Sequence, residues 1–204
     1  MLYFDIETEA NIDVVEFMDE PTAPGNYKDP DKIAAYIEEK KQEQINGMAL
    51  DADFGKIVAI AWKENHDAID SRLVTGDYTE KELLQQFWSV YGKNRGISCG
   101  YNIIGFDLPY IMRRSFDLQV TPTIIPNLAK YRTSPTLDLM MVLYNWSGFK
   151  GLKFVAKRYG IPNPMPEMDG SKVKDMDSET LRAYVENDVD LVYQLYLRMS
   201  GVYF

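Results

Sequence analysis

The first eight residues, Met1-Leu2-Tyr3-Phe4-Asp5-Ile6-Glu7-Thr8, constrain the fold more than any other stretch of the chain. Four apolar or aromatic residues lead straight into two acids spaced two apart. Side chains at i and i+2 of a strand share a face. Asp5 and Glu7 therefore stand together, and Ile6 turns the other way. Adjacent carboxylates repel unless a proton or a cation lies between them. The segment reads either as half of a divalent-cation site or as an edge strand with one solvated face. The rest of the chain has to decide.

The length of 204 residues points to one large domain, and a hydrophobic fraction of 46% suffices for a buried core. The single cysteine, Cys99, forms no intrachain disulfide, which suits a reducing compartment. The apolar lead before Asp5 is too short for a signal peptide. Ile57–Trp62 is far shorter than the ~20 apolar residues that span a bilayer. The expectation is a soluble, cytoplasmic (intracellular) protein with no membrane partner. A net charge of −9 argues against coating duplex DNA through a broad basic face. It leaves room for an enzyme that grips a few nucleotides through bound cations.

Ala10–Met18 is expected to continue as strand or turn, and Pro21, Pro24, Gly25 and Asn26 to form a loop. Asp29-Pro30 has the form of an N-cap followed by proline in the first helical turn. The helix should reach about Ile45, with Gly47 just past its end. Its middle is polar nearly all round, so residues 28–46 read as a helix on a surface insertion spanning about 10–50 of a 1–204 domain; a mobile cover is the alternative. Gly55–Trp62 is a β-rich central strand and Asp67–Val74 a third strand. Thr79 and Glu82 form a capping box before a helix whose Leu83, Leu84, Phe87, Trp88 and Tyr91 make an apolar stripe. Gly96–Tyr101 is a short buried strand, and Pro109–Phe116 a helix. Leu137–Trp146 is helix or strand then helix, Gly151–Tyr159 a short helix, and 161–177 loop. Ser178 opens a last helix to about Met199. The order indicates an α/β fold with a mixed central sheet flanked by helices.

Two further acids stand out. Asp107 closes Asn102-Ile103-Ile104-Gly105-Phe106-Asp107 at a strand-to-helix junction, where α/β folds favour ligands. It reads equally as the N-cap of the next helix. Tyr184 and Asp188 lie four apart on the last helix and share a face. Asp188 stands among Val185, Val189 and Leu191, although a surface acid beside Glu186 and Asp190 is the plainer reading.

In this order, Asp5-x-Glu7, Asn102…Phe106-Asp107 and Tyr184-x3-Asp188 resemble the three motifs of the 3′–5′ exonucleases with four metal-binding acids and a tyrosine on a ribonuclease-H-like fold. The likeness is closest to stand-alone exonucleases related to the proofreading domain of family B DNA polymerases. Phe54-Gly55-Lys56-Ile57-Val58 and Gly170-Ser171-Lys172-Val173 support it, and it spans almost all of the chain except about 10–50. The sister branch has histidine in place of the tyrosine, and the only histidine, His66, sits in an early turn.

The resemblance implies metal-dependent hydrolysis at a single-stranded DNA 3′ end, releasing nucleoside 5′-monophosphates. Two ions about 3.5–4 Å apart, Mg²⁺ or Mn²⁺, would be held by hard oxygen ligands. Asp5 would bridge them, Glu7 and Asp188 complete one site, and Asp107 hold the second ion. Tyr184, with an ordinary pKa near ~10, would orient the attacking water as a neutral group. Ile6, Thr8, Asn102 and Phe106 are the candidate nucleotide contacts, with Phe106 as plain core the open alternative. The family's setting suggests proofreading in DNA replication or DNA repair, with a polymerase or repair partner unspecified. RNA 3′ trimming, or a non-catalytic binding module on the same fold, are the other readings. Arg113-Arg114, Lys130-Tyr131-Arg132 and Lys150–Arg158 are basic clusters of the kind more often solvated than bound to phosphate; Lys153, Lys157 and Arg158 are the first to mutate. Asp138 is expected to satisfy a nearby donor, not a metal.

Overall fold

The structure is a computed structural model that describes residues 1–74 and 78–204. Its helices are α1 (Pro30–Gly47), α2 (Glu80–Lys93), α3 (Asp107–Asp117), α4 (Leu139–Leu143), α5 (Leu152–Tyr159) and α6 (Ser178–Met199). Its strands are β1 (Leu2–Ala10), β2 (Gly55–Glu64), β3 (Ile69–Leu73), β4 (Ser98–Gly100) and β5 (Thr136–Asp138). They form one sheet in the order β3-β2-β1-β4-β5. β2 and β3 pair antiparallel on one side of β1, and β4 and β5 run parallel to it on the other. This mixed five-stranded sheet flanked by helices is the ribonuclease-H-like arrangement that the resemblance implied.

The alternation along β1 sorts the helices onto two faces. Leu2, Phe4 and Ile6 enter one core with Phe87, Trp88 and Tyr91 of α2 and Leu108 and Ile111 of α3. The whole predicted stripe of α2 is buried, and Thr79 and Glu82 close the capping box. Tyr3 enters the opposite core with Leu139 of α4, Val155 and Ala156 of α5, and Tyr184, Val185 and Leu191 of α6. Asp5 and Glu7 point to this second face. Their partners across the ladder are Ala61 and Ala59. These small side chains leave room above the sheet for carboxylates beneath α6. The register slips between Glu7 and Thr8, whose partners are Ala59 and Ile57. Such a bulge re-aims side chains at a strand end.

Three expectations need correction. Residues 12–17 form a 3-10 helix, capped by the Asn11 side chain. Ala10–Gly55 is the last rung of the ladder, so no strand remains for those residues to pair with. α1 takes in Gly47 and runs on into a 3-10 turn over Met48–Leu50. As expected, Asp29 caps it, and none of its residues is buried. Within 161–177, Gly170–Asp175 forms a 3-10 helix instead of open loop.

Candidate active site

The pairing of β1 with β4 covers only Leu2–Ser98 and Tyr3–Cys99, so the two parallel strands part beyond Tyr3. Buried backbone donors need partners. The Ile6 N–H, facing that opening, donates to Asp107 Oδ1 at 3.3 Å. This bond docks the start of α3 against β1. Asp107 is not the N-cap: Phe106 occupies that place and Asp107 is the first helical residue. Asn102 makes this possible. It adopts a left-handed conformation (φ 66°), one that asparagine tolerates better than most residues. Its carbonyl accepts from Gly105 N and Phe106 N at 3.0 and 2.8 Å, turning the chain from β4 into α3.

From the opposite side, α6 places Tyr184 and Asp188 over β1. One carboxylate oxygen from each of Asp5, Glu7 and Asp188 falls within 4.8 Å of the others, a grouping that could hold a metal ion. Glu7, Asp107 and Asp188 are buried, and Asp5 is partly exposed. The strand, the loop and the late helix therefore bring all four predicted acids and the tyrosine to one place. Asp188 is not a surface acid. Its Oδ1 accepts from Asn187 Nδ2 at 3.0 Å, and Lys153 Nζ on α5 lies 4.0 Å from it. Lys153 also sits 4.2 Å from the Tyr184 ring centroid, a cation–π approach. Its ammonium donates to the Met168 carbonyl.

Burial raises the pKa of all four acids and of the tyrosine, and neighbouring carboxylates add to it at Asp5, Glu7 and Tyr184. Burial, then Asp107, Glu7 and Asp188, push the Asp5 carboxyl well above its usual range. Burial, then Asp188 and Asp107, do the same to Glu7. Burial raises Asp188 too, opposed by Lys153, Asn187 and Tyr184. Asp107 is pushed up to about 7, mainly by burial, against the hydrogen bonds that stabilise its charge. Tyr184 is raised by burial and by the neighbouring carboxylates, so it stays a neutral hydroxyl at pH 7. Such a pocket holds excess protons or a cation. Three converging carboxylates are the hard oxygen donors that suit Mg²⁺ or Mn²⁺.

A family model described as "Predicted 3'-5' exonuclease related to the exonuclease domain of PolB" matches residues 49–203. The chain belongs to this family. Membership supports nuclease activity. The match begins after β1, so Asp5 and Glu7 lie outside the matched residues, and geometry alone groups them with Asp188. The fold of this PolB-exonuclease relative also resembles the family B DNA polymerase from the hyperthermophilic archaeon Pyrobaculum calidifontis. The TM-score is 0.65 at 20% identity, covering 97% of this chain. The chain spans 24% of that polymerase's length. No curated protein sequence matches the chain. Among the described residues, no helix is long and apolar enough to cross a membrane.

The candidate nucleotide contacts fare differently. Ile6 has its side chain in the core, 5% exposed, and its N–H on Asp107, so it offers no side chain to a nucleotide. The Thr8 hydroxyl donates to the Ala49 carbonyl at 2.6 Å, which ties the end of the insertion to β1 and leaves its oxygen to a substrate only as an acceptor. Phe106 is half-buried against the α2/α3 core, with its ring centroid 5.3 Å from that of Tyr110. Asn102 is half-buried at the turn just described. Sequence reasoning missed Asn187, although its place beside Asp188 on α6 was a signal. Lys153 was singled out for its place after the Gly151 turn, but its reach to Asp188 depends on how α5 and α6 pack. His66 is exposed, and its Nδ1 lies 2.6 Å from the Tyr193 hydroxyl.

Proposed function

We propose that this chain is a metal-dependent 3′–5′ exonuclease that removes nucleoside 5′-monophosphates from the 3′ end of single-stranded DNA. The observation that carries the reading is the convergence of Asp5, Glu7 and Asp188 oxygens within 4.8 Å, beside Tyr184 and Asp107. In the reaction, a water oxygen bonds to the terminal phosphorus as the bond to the 3′ oxygen of the preceding nucleotide breaks. That oxygen leaves with a proton. Bound at the acids, two divalent cations would supply Lewis acidity at the phosphate and lower the pKa of the attacking water. Asp5, Glu7 and Asp188 would hold one ion, and Asp5 and Asp107 the other.

The remaining work belongs to the chain's own groups. The neutral Tyr184 hydroxyl positions the attacking water beside Asp188, since its raised pKa keeps it from acting as a base at pH 7. Lys153 offsets part of the charge of Asp188 and holds the Tyr184 ring from the other side. Asn102 and Phe106 stand at the turn beside Asp107, where the last nucleotides would meet the protein. The test is a 5′-labelled oligonucleotide incubated with Mg²⁺ or Mn²⁺. A ladder shortening from the 3′ end is expected, lost in Asp5→Ala and Asp188→Ala. Full activity in both variants would overturn the assignment. A matched RNA strand in the same assay reads the sugar preference.

A further inference from the structure

Between Asp117 and Glu167 the chain carries six lysines and arginines and a single acid, Asp138, in a protein of net charge −9. Asp138 is 1% exposed, so the acid of this stretch is inside and the surface it presents is basic. The cations of α3 are different. Arg113 pairs with Asp51 at 3.0 Å and with Asp53, and Arg114 pairs with Glu80 at 2.7 Å and Asp117 at 2.8 Å. That cluster is neutralised within the fold. Among the described residues, Lys150, Lys157 and Arg158 form no ion pair.

Aromatic rings are interleaved with these cations. Phe149, Phe154 and Tyr159 are 41%, 52% and 36% exposed. Lys150 Nζ stands 6.0 Å from the Phe154 ring centroid, and the Arg158 guanidinium 5.6 Å from that of Tyr159. Phe154 and Arg158 are four apart on α5 and share its outer face. The same helix carries Lys153 on its inner side, reaching the acidic pocket. The Lys150 carbonyl is held by the Tyr101 hydroxyl, one residue before Asn102. The basic, aromatic face thus borders the wall of the candidate active site.

We propose that the outer face of Phe149–Tyr159 is a track for single-stranded nucleic acid upstream of the terminal nucleotide. This rests on the exonuclease reading and adds the path of the strand to it. The combination selects the ligand. Unpaired cations match a phosphate backbone, and exposed rings match bases whose faces are free, as they are in a single strand and not in a duplex. An acidic chain that must hold a polyanion needs such a local field, because its overall charge repels one.

The test measures binding of fluorescein-labelled dT12 and dT3 in EDTA, so that no turnover enters. Wild type should bind dT12 tighter than dT3. In Phe154→Ala the dT12 affinity should fall by about 10-fold, the loss of one stacked base. In Lys150→Gln/Lys157→Gln/Arg158→Gln it should fall towards that of dT3. The dependence of log affinity on log salt should flatten by about 2 in that triple variant, at ~0.7 per lost contact. Phe154→Tyr should restore binding. Variants that keep the wild-type preference for dT12 and its salt dependence overturn the track. An rU12 arm separates RNA from DNA. Because binding is read without metal, failure of the nuclease reading would appear separately, as an unshortened ladder with Mn²⁺.

Discussion

Asp107 and Asp138 are both buried, at 3% and 1% exposed, and only one of them is saturated. Asp138 ends β5 and caps α4. Its Oδ1 accepts from Asn102, Met140 and Met141 N–H at 3.0, 3.1 and 3.3 Å, and its Oδ2 from Ile104 N–H at 3.0 Å. Asp107 opens α3 and takes one inter-element bond, from Ile6. Burial raises the carboxyl pKa of both. The difference teaches that burial alone does not mark a reactive acid. A carboxylate ringed by backbone donors is a structural anchor. One with free lone pairs facing other carboxylates has capacity left for a cation.

The contrast predicts opposite losses. Asp107→Ala should lower kcat by roughly 10³-fold, the worth of about 4 kcal/mol of charge stabilisation at the phosphate. Its melting temperature should fall far less than that of Asp138→Ala, since only the Ile6 N–H loses its acceptor and a crowded carboxylate is removed. Asp138→Ala strips four N–H groups, three of them buried, of their acceptor and should cost about 3 kcal/mol or more of stability. Ladder assays and thermal melts on the two proteins check this. If the two substitutions produce the same pattern, the distinction between anchor and ligand is wrong.

Stability against pH sharpens it further. Asp107 in the folded chain titrates near about 7, against ~3.9 for an unperturbed aspartate. Between those values the folded state binds more protons than the unfolded one. Stability of the metal-free protein therefore falls as pH rises through that window. Asp107→Asn keeps an oxygen for the Ile6 N–H and removes the ionisation, so it should flatten the fall. Mn²⁺ should oppose it in wild type by binding only the folded site. Melts from pH 5 to pH 8, with and without Mn²⁺, read all three. A wild-type melting temperature that climbs with pH in EDTA would contradict the assignment.

Lys153 is the cation that the reactive site has and Asp138 lacks. It lowers the pKa of Asp5, Glu7 and Asp188, so Lys153→Met should let all three rise. The acid limb of the pH–rate profile should move to higher pH by up to about 1 unit, with a roughly 10-fold lower rate at pH 7. Lys153→Arg should recover part of it. A structural role alone would lower stability and leave the limb in place.

How far these roles could be read in advance depended on whether the deciding contact was local. The Asp5/Glu7 pair, the Thr79–Glu82 box and the limits of α6 follow from periodicity and caps a few residues apart, and the structure has them where the pattern puts them. The helix start at Asp107 does not. Asp after a strand looks like an N-cap, and only the left-handed turn at Asn102 and the free N–H of Ile6 make it the first helical residue instead. Thr8 was legible as part of the motif, but its bond to Ala49 depends on where the insertion returns. The 3-10 helix after β1 reflects the end of the β1–β2 ladder, which no window around residues 12–17 contains.

The smallest expected effect concerns the residue that links the two acids. Asn102 gives its N–H to Asp138, and its turn delivers Asp107. Either the left-handed backbone or the side-chain amide could be what the site requires of it. Glycine separates them, because it takes φ near +66° without strain and removes only the amide. Asn102→Gly should change stability by less than about 0.5 kcal/mol. With the turn kept, Asp107 stays in place and kcat should be unchanged, while KM rises less than about 3-fold, under ~1 kcal/mol of binding. Asn102→Ala, forced into the same conformation with a Cβ, should lose stability by about 1 kcal/mol or more and take kcat down with it. A 10-fold rise in KM for the glycine variant at constant kcat would instead give the amide a direct hold on the nucleotide, and the turn would be the lesser part of what Asn102 does.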